Sequence, residues 1–190
     1  MLYHIYLVIY HLTKIRMTTK ESNRKYPKLH TSNLAQELYT PPSATQQIIP
    51  FIPKWYTVWE MCYWQWHLAN ELKKNWIDVV GWEGLDCFEY EPEMYDMIIT
   101  NPPYRNNKDF LERAFDSWKP FALLMRLEHI GWVRASKMLK NKNIKILIPE
   151  KRINFITPKM RGWEKVWWSP FHTIRITFNL IKDSRQIIYL

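Results

Sequence analysis

Glycine is almost missing from this chain: four residues in 190, against eleven tryptophans. Average usage is near ~7 %, so turns that ordinarily rest on glycine are expected to rest on Pro, Asn, Asp and Ser. Cysteine is equally scarce. Cys62 and Cys87 form neither a disulfide framework nor a metal-ligand spacing, which points to a reducing, cytoplasmic setting. His67, His129 and His172 are scattered without ligand spacing, so no metal is expected. Long apolar runs are absent as well. Residues 1–12 are apolar and aromatic but include His4 and His11 and fall short of the ~20 residues needed to cross a bilayer. They also lack the basic start and small-residue cleavage site of a secretory signal, so no membrane partner is expected.

What is present suffices for one domain with a real core: 47 % of the residues are hydrophobic. Met17-Thr18-Thr19-Lys20 reads as a second start, followed by a polar, basic stretch without periodicity. Residues 1–32 are therefore expected to form an upstream extension or flexible arm, and residues 33–190 a single catalytic-type domain with no room for a separate large recognition domain. Within it, strands are predicted at 57–60, 77–82, 95–100, 121–127, 144–148, 174–181 and 186–190. Helices are predicted at 66–74, 108–118 and 129–140. Strand alternating with helix implies an α/β, Rossmann-like fold: a mostly parallel sheet with helices on both faces. The closing pair, separated by Lys182-Asp183-Ser184-Arg185, reads as a C-terminal antiparallel hairpin. Ligands in such sheets lie beyond the carboxyl ends of the strands, where Glu60, Glu83 and Asn101 fall.

Asn101-Pro102-Pro103-Tyr104 follows the apolar run Met97-Ile98-Ile99-Thr100, which reads as a buried strand. A conjugated amine is a poor nucleophile because its lone pair is delocalised. The Asn101 side-chain oxygen and the Pro102 carbonyl can both accept from one NH₂ group and draw it toward a tetrahedral shape. Pro103 stiffens the backbone that aims them, and Tyr104 offers a flat face for a base. Taken alone, Asn-Pro also marks ordinary turns.

With its flanks the tetrapeptide resembles the Asn-Pro-Pro-Tyr site of S-adenosylmethionine-dependent amino-methyltransferases, above all the adenine-N6 DNA enzymes of bacteria and phages. The resemblance runs from about Leu38 to about Leu180. Tyr39-Thr40-Pro41-Pro42 is similar to the Thr-Pro turn that borders the cofactor pocket. Thr57-Val58-Trp59-Glu60 resembles the strand ending in an acid. Ile77 to Glu83 resembles the second strand, whose acid, Glu83 here, accepts from the cofactor ribose. Gly84-Leu85-Asp86-Cys87-Phe88 is similar to the Asp-Phe segment, in which Asp86 would accept from the cofactor's adenine amine and Phe88 stack on its ring. Lys151-Arg152-Ile153-Asn154-Phe155 with Pro158, then Phe178-Asn179, fits phage-type members. The resemblance implies methyl transfer from S-adenosylmethionine to adenine in DNA, through a methyltransferase fold of the Rossmann type.

At one place the chain departs from the family. Where Gly-x-Gly lets the backbone approach the cofactor, this sequence has Trp64-Gln65-Trp66, and Met61 replaces the usual proline. Indoles neither favour positive φ nor leave room for a ligand. A nucleic-acid-binding relative with a dead cofactor site is therefore an alternative, as are enzymes acting on RNA adenine or on a protein glutamine amide. The charge, +9 overall, is uneven: nine Lys or Arg against two acids from Lys137 to Lys165, and six acids with no base from Glu83 to Asp96. The basic stretch, interleaved with Trp163, Trp167 and Trp168, is expected to face phosphates, and the acidic one to border the cofactor pocket. A solvated surface is the other reading of both.

Overall fold

The computed structural model describes residues 38–63, 66–82, 85–104, 107–160, 163–167 and 169–190. The proposed extension over residues 1–32 lies outside them, as do Trp64, Glu83, Gly84 and Trp168. Nine strands occur among the described residues: β1 Thr57–Trp59, β2 Asp78–Val80, β3 Met97–Thr100, β4 Phe121–Arg126, β5 Ile144–Ile148, β6 Phe155–Met160, β7 Trp163–Trp167, β8 Thr173–Phe178 and β9 Ile187–Tyr189. Four α-helices accompany them: α1 Pro42–Gln46, α2 His67–Lys74, α3 Asn107–Asp116 and α4 Val133–Leu139.

Seven strands form one sheet in the order β2-β1-β3-β4-β8-β5-β9, and β6 pairs with β7 apart from it. Every neighbouring pair is parallel except those made by β8, which runs against both β4 and β5. The expected Rossmann-like α/β architecture is thus the one observed. β3 shows why its sequence reads as a continuous apolar run: all four of its residues are buried, because helices cover both faces. Ile98, Leu123 and Ile176 pack with Phe110, Leu111 and Ala114 of α3 and Ala135 of α4. Met97, Ile99 and Ala122 turn to the other face, against Leu68, Ala69 and Leu72 of α2. Successive residues alternate between the two cores, as a strand's period of two requires.

The predicted closing hairpin does not form. Its assumed four-residue loop is longer, and Ile181 within the connection is buried in the core on the α2 side. That burial carries the chain past β5 to its outer edge, where β9 lies parallel to β5, with Leu147 opposite Ile188. Among the described residues an antiparallel hairpin forms at β6–β7 instead, with an irregularity between Thr157 and Met160. Tyr39 bridges to Ile156, each N–H donating to the other's carbonyl at 2.8 and 3.1 Å, so the segment before α1 adds to this hairpin. Turn chemistry also differs from expectation. Asn141 and Asn179 take positive φ as foreseen, but so do Trp55, Trp66, Trp76 and Trp118.

Gly81, just past β2, is one glycine whose lack of a side chain the packing requires. A Cβ there would lie 2.7 Å from the Glu60 carbonyl oxygen and 2.7 Å from Cδ2 of Tyr63. Both neighbours are anchored, one as backbone and one as a buried ring. Gly81→Ala should therefore destabilise the fold by about 1–3 kcal/mol through overpacking, read as a lower urea midpoint. An unchanged midpoint would show that the β1 and β2 ends can part without loss.

Candidate active site

The carboxyl ends of β1 and β3 bring Glu60 and Asn101 to the same edge of the sheet, as parallel register dictates. Glu60 is 3 % exposed. Its Oε1 accepts from the Thr100 hydroxyl and from the Cys62 N–H, the latter at 3.1 Å, while Oε2 is buried with no partner. Burial pushes its pKa up to about 8, opposed by the Thr100 hydroxyl, the Cys62 N–H and the positive charge of Arg175. Arg175 on β8 is itself buried, and burial lowers its pKa to about 10, against the pull of Glu60 and Tyr104. Its Nη2 donates to the Ala44 carbonyl at 3.0 Å, and its Nη1 is buried without a partner.

Asn101 follows β3 directly. Its Nδ2 donates to the Leu38 carbonyl at 2.8 Å. A carbonyl can only accept, so this bond fixes which way the amide points and leaves Oδ1 as an acceptor. That oxygen is buried and unpartnered. Pro102 is buried, while Pro103 and Tyr104 are half-buried. The Tyr104 ring meets Phe171 edge-on at 4.9 Å and Phe155 at 5.8 Å, and all three pack with Ala44 and Leu124. Its hydroxyl is buried without a partner, and burial holds it well above the usual phenol range against the charges of Arg126 and Arg175. Buried polar atoms that lack partners are uncommon in native proteins. Among the described residues, Glu60 Oε2, Asn101 Oδ1, the Tyr104 hydroxyl and Arg175 Nη1 are four such atoms toward the carboxyl edge of the sheet, a set chemically able to receive a ligand's donors and acceptors.

The residues expected on the cofactor side divide into three groups. Thr40 is buried and Pro41 half-buried, held by the Tyr39–Ile156 bridge, with the Pro41 carbonyl accepting from Ala44 and Thr45 at the start of α1. Asp86 and Phe88 are half-buried. Asp86 Oδ1 accepts from the Phe88 N–H at 2.9 Å and so caps its own turn, while the Phe88 ring leans on Phe110 at 4.9 Å. Glu83 lies outside the described residues. Between β1 and α2, Tyr63 is buried, and the Tyr39 ring stacks on His67 at 4.8 Å. Trp66 adopts φ 64°, contrary to the expectation that an indole would not take the backbone conformation of the family's glycine.

The charge pattern is less simple than the sequence suggests. Lys140 and Lys142 precede β5 and so lie at its amino end, whereas Lys151 and Arg152 follow its carboxyl end, so the basic stretch is not one surface. Arg152 is tied to the loop before β8, donating to the Ser169 carbonyl at 3.0 Å and facing His172 Nε2 at 3.0 Å. The acidic stretch likewise leaves the site: Asp96 sits before β3, where its Oδ2 accepts from the Thr57 N–H at 2.7 Å. Glu91 pairs with Arg113 at 2.8 Å.

Sequence reasoning missed Thr100, Arg175 and Phe171. Thr100 lay within the strand and carried no motif, and Arg175 alternates with apolar Ile174 and Ile176, so only the sheet order exposes it. No group of His, Cys, Asp and Glu among the described residues could hold a metal ion, and no described helix is long and apolar enough to cross a membrane.

No protein-family model and no curated protein sequence matches this chain. Among solved structures it is similar to a precorrin-6y C5,15-methyltransferase from Geobacter metallireducens, at 9 % identity over 81 % of this chain and 100 % of that one, with a TM-score of 0.44. It is also similar to a predicted O-methyltransferase from Agrobacterium tumefaciens, at 13 % identity over 70 % and 65 % of the two chains, with a TM-score of 0.31.

Glu60 makes folding depend on pH. Its carboxyl is protonated in the fold up to about 8 but ionises near 4.5 when unfolded. The folded chain therefore holds the extra proton, and the stability Glu60 contributes is complete below 4.5 and lost as pH rises through about 8. In urea titrations, stability should fall across this window with a slope approaching about 1.4 kcal/mol per pH unit. Glu60→Gln should remove most of that slope, and a variant with the parent's pH profile would overturn the assignment.

Proposed function

We propose that this chain transfers a methyl group from S-adenosylmethionine to the exocyclic amino group of adenine in DNA. The observation that carries the reading is Asn101 Oδ1, an acceptor held buried and unpartnered by the bond from Nδ2 to the Leu38 carbonyl. A buried acceptor left open in this way costs about 1–3 kcal/mol of desolvation unless a ligand donates to it. An amine bearing two protons fits, with Asn101 taking one and the Pro102 carbonyl the other. Drawing both protons to one side turns the nitrogen lone pair away from the ring's π-system, which raises its nucleophilicity.

Tyr104, with Phe171 and Phe155 packed around it, offers the aromatic surface on which an extruded base stacks. Thr40, Pro41, Glu60, Glu83, Asp86 and Phe88 would hold the cofactor. The orphaned Oε2 of Glu60 fits a hydroxyl or ammonium donor, and the half-buried pairing of Asp86 with Phe88 fits a purine. S-adenosylmethionine, when bound, supplies an electrophilic methyl group on a sulfonium. Glu60 then gains a partner for its ionised form, so cofactor binding at neutral pH releases a proton from it. Positioning supplies most of the rate in such a site. Lys151 and Arg152 at the site edge support a phosphate backbone as the wider partner.

Methyl transfer from labelled cofactor, offered DNA, RNA and protein in parallel, tests the reading. Label is expected in DNA adenine. Asn101→Ala should lower kcat by about 100-fold or more while salt-sensitive retention on DNA stays as in the parent. A variant that methylates at the parent rate would refute the role of Asn101, and label in RNA or in glutamine would move the substrate.

A further inference from the structure

Six non-glycine residues among those described have positive φ, and four of them are tryptophan: Trp55 at 76°, Trp66 at 64°, Trp76 at 62° and Trp118 at 57°. The other two, Asn141 and Asn179, are of the type that tolerates this region. A bulky aromatic there is an outlier. Four outliers confined to one residue type, in a chain with so little glycine, call for a common cause.

Each tryptophan stands where the local geometry demands glycine. After α2, the Trp76 N–H donates to the Lys73 carbonyl at 3.0 Å and the Ile77 N–H to the Leu72 carbonyl at 3.2 Å, while Ile77 packs against the core cluster that holds Leu72. That is a Schellman motif, whose left-handed position is glycine's. After α3, the Trp118 N–H donates to the Phe115 carbonyl at 3.1 Å, and Pro120 follows, as it does beyond a glycine stop. Trp55 is the third residue of a turn closed by the Tyr56 N–H on the Pro53 carbonyl at 3.3 Å, where positive φ calls for glycine. Trp66 opens α2, its carbonyl accepting from the Asn70 N–H at 2.6 Å.

Packing does not explain the indoles of Trp55, Trp76 and Trp118, whereas that of Trp66 leans on the Tyr63 ring at 5.6 Å. Trp55 and Trp76 are each 96 % exposed, Trp118 83 % and Trp66 48 %. Trp59 is the contrast. It lies in β1 at 1 % exposure, edge-on to Tyr95 and beneath the Arg113 guanidinium, and so uses its ring as a tryptophan should.

We propose that Trp55, Trp66, Trp76 and Trp118 stand at glycine positions, and that the codon behind them is decoded as glycine in the cell that makes this protein. The codon UGA is read as tryptophan in some variant genetic codes and as glycine in others. One such exchange replaces glycine by tryptophan at scattered sites and leaves UGG-encoded tryptophans such as Trp59 in place. Few glycines and many tryptophans then have a single origin. The consequence for the site rests on the methyl-transfer reading: with Trp64, which enters by sequence alone, Trp66 completes a Gly-x-Gly loop between β1 and α2.

Three measurements test this. Thermal unfolding compares the parent with the chain carrying Trp55→Gly, Trp66→Gly, Trp76→Gly and Trp118→Gly. Relief at each exposed site should raise the midpoint by roughly 2–4 °C, on the order of 10 °C together, whereas Trp59→Gly should lower it. A fourfold variant melting at or below the parent overturns the assignment of these turns. Peptide masses of the protein taken from its source cell should show glycine at 76 and 118 and tryptophan at 59, and tryptophan at 76 and 118 overturns the decoding. Calorimetric titration with S-adenosylmethionine should show at least tenfold tighter binding once Trp64→Gly and Trp66→Gly are made. No binding by that variant overturns the cofactor loop alone and leaves the turn assignment standing.

Discussion

The site depends on a carboxyl group that the fold has taken out of water. Glu60 terminates the first strand and is clasped by the Thr100 hydroxyl and the Cys62 N–H. Among the described residues its charged counterweight is Arg175, which reaches the same place from a strand 115 residues later in the chain. Neither group is satisfied on its own: each retains an unpartnered polar atom. The buried carboxyl and the buried guanidinium, each acting on the other through its charge, give the otherwise apolar core a polar centre. Parallel register of β1 with β3 places Asn101 at the rim of that centre without any further device.

A second layer of construction orients the acceptor. Leu38 lies far from Asn101 in sequence, yet its carbonyl decides which atom of the Asn101 amide faces inward. Leu38 is held in turn by the pairing of its neighbour Tyr39 with Ile156 in β6. The hairpin, the segment before α1 and the tetrapeptide therefore form one mechanical unit. Phe155 and Phe171 frame Tyr104 within it, so the aromatic surface and the acceptor share a support.

Much of this was legible in the sequence where local chemistry agreed with the final packing. The strands at 97–100 and 121–126 announce themselves as apolar runs, because helices cover both faces and no alternation is required. Glu60 and Asn101 could be placed on one edge from strand order alone. The closing hairpin was misread because Ile181 resembles the end of a strand but is a core residue in a crossover. β6 and β7 were missed since their polar and aromatic mixture carries no clean period. Arg175 was invisible because its partners come from strands and helices far along the chain. The charge runs misled for a related reason: a linear cluster that spans both ends of a strand is divided by the thickness of the sheet.

The sheet order also constrains how the chain is made. Among the described residues β5 pairs with β8 and β9, both synthesised after it, and not with β4, which precedes it. On the ribosome the first four strands can assemble as they emerge, but β5 must wait, its apolar face unsheltered, until Thr173–Phe178 has been translated and wedged beside β4. During that interval α4 and β5 are the segment most open to chaperones, and a nascent chain stalled before residue 173 would display them.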